Sequence, residues 1–273
     1  MRIVFGNWKY LFKNFWYVLA CGLAPAVFIA LSFDYTAISG FVHGFFKGTP
    51  RTGFLDMLRA FAPIRIDSAL GGVYTACAYI LSSVFAALLL TMIEKHMRIG
   101  KRTPSGMGEG MKNLLLPSFL IILLFYALGE IASIILAALM FAIFSIPSTA
   151  LVYILTALVF FVVAFMFLYA FEAFYLWLPC MQITGFRPYH AFLYSYRLSI
   201  GVRWKLIAAH ALSVSLAIVL LGGTAFLYEI IFRVVALILS LFLYAGMFIR
   251  METVYFETDK LDREDVIKSY KDI

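Results

Sequence analysis

Six stretches of the chain hold almost only apolar residues for 20 positions or more. A helix of about 20 apolar residues is long enough to cross the roughly 30 Å hydrocarbon core of a bilayer. The stretches are residues 14–33, 69–93, 114–144, 149–178, 206–228 and 230–249. This pattern predicts an all-α polytopic membrane protein with six transmembrane helices arranged as three hairpins.

The composition excludes a soluble globular fold. Hydrophobic residues make up 64% of the 273 residues and charged residues only 14%, whereas soluble domains average about 45–50% and about 25%. The sequence therefore divides into a single transmembrane domain, residues 1–251, and a short cytoplasmic tail, residues 252–273. Because the third and fourth stretches are longer than the hydrocarbon core is thick, we expect them to tilt, kink or protrude.

The lysines and arginines are distributed unevenly between the loops. Seventeen of the 22 lie before the first stretch, after the sixth, or in the second and fourth loops. Basic loops stay on the cytoplasmic side, so we expect both termini in the cytoplasm and the protein in a bacterial plasma membrane. The net charge of +7 comes from these short loops, which favours anionic lipid as a partner and not nucleic acid.

Two loops contain amphipathic segments, which predict interfacial helices. One lies in residues 51–62 before Pro63, and its apolar face consists of Phe54, Leu55, Leu58 and Phe61. The other follows the fourth stretch, and its apolar face consists of Tyr189, Phe192, Leu193, Tyr196 and Ile200. We expect the first on the outer leaflet and the second on the inner leaflet. Both serve either as membrane anchors or as a groove for a ligand or partner.

Glu130 is the deepest ionisable residue, and such residues within a membrane are candidates for function. It lies sixteen residues into the third stretch, which is roughly 24 Å along the helix. Tyr126 and Ser133 share its helical face and can form hydrogen bonds with it. Glu130 is either a structural polar contact or a site for a proton or cation.

Glu172 and His210 lie near the inner ends of the fourth and fifth stretches, where they can meet. Such a pair can relay protons or serve as a structural hydrogen bond. The returning helix of each predicted hairpin also carries a glutamate near its inner end, namely Glu94, Glu172 and Glu252. These glutamates either form a repeated feature or neutralise adjacent bases such as Lys95 and Arg250.

No recognised catalytic or metal-binding motif occurs in the sequence. The four histidines, His43, His96, His190 and His210, have no partner at the spacing of metal ligands. A HExxH helix, a GxxxxGK[ST] loop and a GxSxG elbow are absent. We therefore expect no enzyme activity, no cofactor and no metal.

The aromatic entry formed by Trp8, Phe12, Phe15 and Trp16, together with the six apolar stretches, carries a family resemblance. The chain resembles uncharacterised six-helix integral membrane proteins of Gram-positive bacteria. It is also similar to the membrane domain attached to some glycerophosphodiester phosphodiesterases. The soluble catalytic domain of that family has no counterpart here, so the resemblance implies a membrane fold and no activity.

These observations lead to two hypotheses about function. The first is a non-enzymatic accessory or scaffold protein that presents basic inner loops to anionic lipid or to a protein. The alternative is a small transporter or permease subunit for a solute or lipid. A transporter would bring Glu130, Glu172 and His210 together on one water-filled cavity, whereas a scaffold would leave them separately capped.

Overall fold

The computed structural model of the protein describes residues 2–47, 53–65, 67–99 and 106–259. These residues fold into helices and contain no strand. The helices are α1 (Arg2–Lys13), α2 (Phe15–Ser32), α3 (Tyr35–Phe46), α4 (Phe54–Phe61), α5 (Ala69–Ile99), α6 (Met107–Ile143), α7 (Thr149–Phe174), α8 (Trp177–Thr184), α9 (Pro188–Ile200), α10 (Arg203–Thr224) and α11 (Glu229–Asp259).

Six helical segments in the described part of the chain are long and apolar enough to cross a membrane. They are α2, α5, α6, α7 continued by α8, α10 and α11. This confirms the all-α polytopic membrane fold. The three pairs α2–α5, α6–α7 and α10–α11 each pack side by side as hairpins.

The centre of the bundle is formed by α2, α5 and α11. Its largest fully buried side chains include Leu89, Leu90 and Ile93 of α5 and Phe248 of α11. Gly22 allows α2 to approach α11 closely, because a Cβ atom at this position would lie 2.7 Å from Leu241 Cδ1. Apolar side chains that remain exposed on α6 and α7 then face the lipid.

Several helices extend beyond the predicted spans at the end of the bundle that holds α1, α8 and α9. At this end, which we call the basic end, α5 continues to Ile99, α6 begins at Met107 and α11 continues to Asp259. Glu252, the first residue of the predicted cytoplasmic tail, is fully buried within α11. The helix continues past this acid, where apolar residues follow at Val254 and Phe256, so residues 252–259 extend α11. Residues 260–273 of the predicted tail lie outside the described residues.

The third and fourth spans are long, as expected. Helix α6 has 37 residues and α7 has 26, so α6 alone reaches about 55 Å. The chain turns at Tyr175 and Leu176 before α8. At the opposite end of the bundle, which we call the far end, the α6–α7 hairpin packs against α3 and α4 through Met57, Leu136 and Met140.

Both predicted amphipathic segments form helices, and both leave part of the predicted apolar face exposed. In α4, Phe54, Leu58 and Phe61 of that face pack with the fully buried Met57, whereas Leu55 is 64% exposed. In α9 the buried residues include the small Ala191 and Ser195, whereas Tyr189 is 68% exposed. Each helix therefore packs one face on the bundle and leaves apolar side chains for the lipid or its interface.

Candidate functional site

The structure brings Glu172 of α7 and His210 of α10 together. Nδ1 of His210 donates a hydrogen bond to Oε1 of Glu172. Glu172 is fully buried and His210 is 7% exposed. The sequence predicted that the two residues could meet, from their positions near the ends of their spans.

Aromatic rings enclose this pair. The rings of Phe171 and Tyr175 meet the imidazole of His210 edge-on, with centroids 5.5 and 4.7 Å away. The Tyr175 hydroxyl donates to the Met247 carbonyl at 2.6 Å. Oε2 of Glu172 and Nε2 of His210 are buried and have no hydrogen-bond partner. The bond between the two residues is therefore isolated from solvent, where a low dielectric strengthens it.

Arg250 lies next to this pair, although the sequence suggested only a loop base. It is 3% exposed, and its Nη2 is 3.4 Å from Ser213 Oγ of α10. Its charge acts on Tyr175, the ring that covers His210. Arg250 is in none of the ion pairs formed by the residues that the structure describes. Arg250 of α11 thus adds a buried cation on the Tyr175 and Ser213 side of the Glu172–His210 pair.

The three glutamates of the returning helices, Glu94, Glu172 and Glu252, are all buried, but their partners differ. Glu94 binds Arg98 at 3.0 Å, and Glu172 binds His210. Both carboxylate oxygens of Glu252 are buried without a hydrogen-bond partner, and Glu94 is close enough to repel its negative charge. Glu94 therefore neutralises a nearby base, Arg98. Glu252 does not pair with Arg250.

Helix α9 is tied to the end of α11 at the basic end. The Tyr194 hydroxyl donates to Oδ1 of the fully buried Asp259 at 2.5 Å. Cys180 of α8 is also fully buried and lies close enough to Asp259 and Glu252 to interact with both acids. The basic end therefore contains a packed acidic interior beneath its basic loops. The sequence signal for it was the continued helical pattern after Glu252.

Glu130 lies in a separate site at the far end. The backbone of Ile64, in the loop that leads into α5, lies close enough to Glu130 to interact with its carboxylate, and Oε2 of Glu130 is buried without a hydrogen-bond partner. The expected partners were wrong, because Ser133 Oγ donates to the Phe61 and Gly129 carbonyls, each at 2.8 Å. The reason is that α6 continues well beyond Glu130 and packs against α4. Glu130 consequently faces the start of α5 and not the centre of the bundle.

Glu130 lines a cavity of about 200 Å³ together with Arg59, Arg65 and Asp67. Glu172 and His210 do not line this cavity. Arg65 Nε donates to Asp67 Oδ1 at 2.8 Å, and this hydrogen bond lowers the pKa of the Asp67 carboxyl below its usual range. The three residues predicted from the sequence therefore belong to two sites and not to one.

Arg203, the first residue of α10, is a further buried cation. It is 8% exposed, and its guanidinium lies over the rings of Tyr196 and Tyr169 at 4.6 and 5.3 Å. Nη1 donates to the Tyr169 hydroxyl at 3.3 Å and Nη2 to Ser199 Oγ at 3.2 Å. Its Nε is buried without a partner. In the sequence, Arg203 is one of the 17 bases that predict the topology.

Within the described ranges, His, Cys, Asp and Glu do not form a group of three or more that could hold a metal ion. The chain was compared with models of protein families, with curated proteins and with solved structures. None of the three comparisons finds a match. The structure shows a multi-pass membrane protein with several buried ionisable groups.

Proposed function

We propose that the protein is a non-enzymatic accessory or scaffold protein of a bacterial plasma membrane, with both termini in the cytoplasm. In this proposal the basic end meets anionic lipid, which attracts lysines and arginines near the membrane surface. The extension of α5, α6 and α11 beyond the predicted spans supports it, because these helices form a packed layer with α1, α8 and α9. Such a layer offers a rigid surface to lipid or to a protein partner.

The observation that carries the proposal is that the predicted intramembrane groups lie in separate sites. Glu130 lies beside Arg59, Arg65 and Asp67 at the far end, whereas Glu172 is bound by His210 between α7 and α10. The cavity beside Glu130 is not lined by the other two residues. A connected polar path, which a transporter needs for its substrate, would instead join these groups.

A small transporter or permease subunit is the second candidate, and Glu252 favours it. A fully buried carboxylate with two unpartnered oxygens is costly unless a proton or cation neutralises it. Arg250 adds a buried cation two residues away on the same helix. In this alternative, the glutamate would take up and release the transported proton or cation.

Complementation of a gene deletion in the host bacterium separates these two functions. For a scaffold, we expect Glu130→Gln, Glu172→Gln and Glu252→Gln to restore the phenotype, because the amide keeps the shape of the side chain. For the same function, charge reversal of exposed bases at the basic end, Lys112→Glu with Arg187→Glu, should abolish complementation. Lys47→Glu at the far end is the matched control and should complement.

The amount of each variant in the membrane fraction must equal that of the wild type. A glutamine variant that is present at the normal level but fails to complement would favour the transporter function over the scaffold function. Full complementation by the double charge reversal would also contradict the scaffold, because the basic surface would then have no role.

A further inference from the structure

An apolar groove runs between the spanning helices α7 and α10. It encloses about 470 Å³ and is lined almost entirely by apolar side chains, among them Phe160, Leu168, Ile207 and Val214. This volume is within the range of about 300–1,000 Å³ that is typical of ligand pockets. Phe161 is 73% exposed at its edge. Because both helices cross the membrane, the open side of the groove faces lipid.

The groove is long as well as apolar. On α7 its lining extends from Thr156 to Leu168, and on α10 from Ile207 to Ile218. These segments are about 18 and 17 Å long, which is comparable with half of the roughly 30 Å hydrocarbon core. A groove of these dimensions fits an extended hydrocarbon chain better than a compact solute.

A cation closes one end of the groove. Arg203 lies one turn before Ile207 on α10 and contacts Tyr169, which follows Leu168 on α7. Trp204 stacks on Phe165, a lining residue, with ring centroids 6.1 Å apart. The arginine is therefore placed where the headgroup of a lipid would meet the beginning of its acyl chain.

The charge of Arg203 is not balanced by an acid in the described part of the chain, where the ion pairs involve other residues. Two of its nitrogens donate to hydroxyl groups, and Nε is buried without an acceptor. A buried cation is costly unless it is paired, and the two tyrosine rings over Arg203 offset only part of this cost. Phosphate is a preferred partner of the guanidinium group, so an anionic headgroup would supply the missing negative charge.

We propose that the groove binds one acyl chain of an anionic phospholipid whose phosphate pairs with Arg203. This inference deepens the proposed function, because it rests on the basic end facing anionic lipid and assigns that lipid a specific site. Bulk lipid would fill the groove without regard to headgroup charge. Charge complementarity at Arg203 predicts selection of anionic over zwitterionic lipid.

Quenching of Trp204 by brominated lipid tests the proposal, since this indole is 65% exposed at the end of the groove. The other tryptophans, Trp8, Trp16 and Trp177, are replaced by Phe in the full chain. The protein is reconstituted into phosphatidylcholine vesicles that contain a small fraction of brominated phosphatidylglycerol, or the same fraction of brominated phosphatidylcholine. We expect the anionic lipid to be enriched about five-fold at Trp204, as one Arg–lipid charge contact predicts.

Two pairs of variants separate the headgroup from the chain. Arg203→Gln should reduce the enrichment to about one, whereas Arg197→Gln, an exposed base on α9, should preserve it. Ala211→Phe fills the groove and should abolish the enrichment. Ala208→Phe adds the same ring on the exposed side of α10 and should not. If Arg203→Gln fails to elute as a folded protein in gel filtration, the Ala211 and Ala208 variants decide the outcome.

Equal quenching by the two brominated lipids in the wild type would overturn the proposal. The same holds if Arg203→Gln and Arg197→Gln behave alike, or if Ala211→Phe retains the enrichment. A Trp204 protected from both lipids would show that a second copy of the chain covers the groove. These results do not depend on complementation, so a failed groove and a failed scaffold function are distinguishable.

Discussion

Glu172 and His210 depend on each other because each buries a polar atom that only the other satisfies. We expect Glu172→Leu to destabilise the protein by about 3–5 kcal/mol, since it leaves the imidazole buried without its acceptor. Glu172→Gln keeps an oxygen acceptor and should cost about 1 kcal/mol. The measurement is the thermal or denaturant midpoint of the purified protein in detergent.

The exposed pair Glu229 and Arg233 provides the control for this experiment. Its atoms are 3.0 Å apart, but the glutamate side chain is 57% exposed. Glu229→Gln should therefore change stability by no more than about 1 kcal/mol. Equal losses for Glu172→Leu and Glu229→Gln would contradict the idea that burial makes the first pair important.

The sequence predicted those contacts that depend only on how deep each residue lies in its span. Glu172 and His210 could be paired from their positions in two apolar stretches. The surroundings of Glu130 could not, because the loop residues Ile64, Arg65 and Asp67 that line its cavity are distant in sequence. The burial of Arg203, Arg250 and Glu252 could not be predicted, because a charged residue at the end of a span looks the same whether it faces water or a packed neighbour.

Helix α4 packs against α6 through one fully buried side chain. Met57 is fully buried against Leu136, Ala137 and Met140 of α6. We expect Met57→Ala to cost about 2–5 kcal/mol, because it leaves a cavity in this contact. Leu55→Ala removes a side chain that is 64% exposed and should have little effect. Denaturation midpoints of the two variants test this, and equal losses would show that α4 rests on lipid and not on α6.

The periodicity of residues 51–62 predicted the helix and most of its apolar face, but not whether lipid or protein covers that face. An apolar stripe shows that one face avoids water, and lipid or protein can supply that environment. Here the loop that follows α4 packs against α6, so protein covers the apolar face of α4. Gly129 permits it, because a Cβ atom there would lie 3.2 Å from Pro63 Cγ. Such a tertiary contact has no signal in the local pattern.

For the whole molecule, the uneven distribution of bases predicts one topology. We expect position 105 and the C-terminus to be accessible from the cytoplasmic side, and position 49 from the opposite side. Cysteines introduced at these positions, with Cys21, Cys77 and Cys180 replaced, can be labelled by an impermeant thiol reagent in intact cells and in lysed cells. Labelling of position 105 and the C-terminus from opposite sides would contradict six spans.

The central position of α11 has a consequence for the order in which the protein is made. This helix packs against α1, α2, α5, α8, α9 and α10, yet it leaves the ribosome after the other five described spans. Until it is inserted, the faces of α2 and α5 that it covers have only lipid or chaperones as neighbours. A chain that stops before Glu229 therefore lacks the helix that packs against both the first and the fifth span, which makes insertion of α11 the step that closes the bundle.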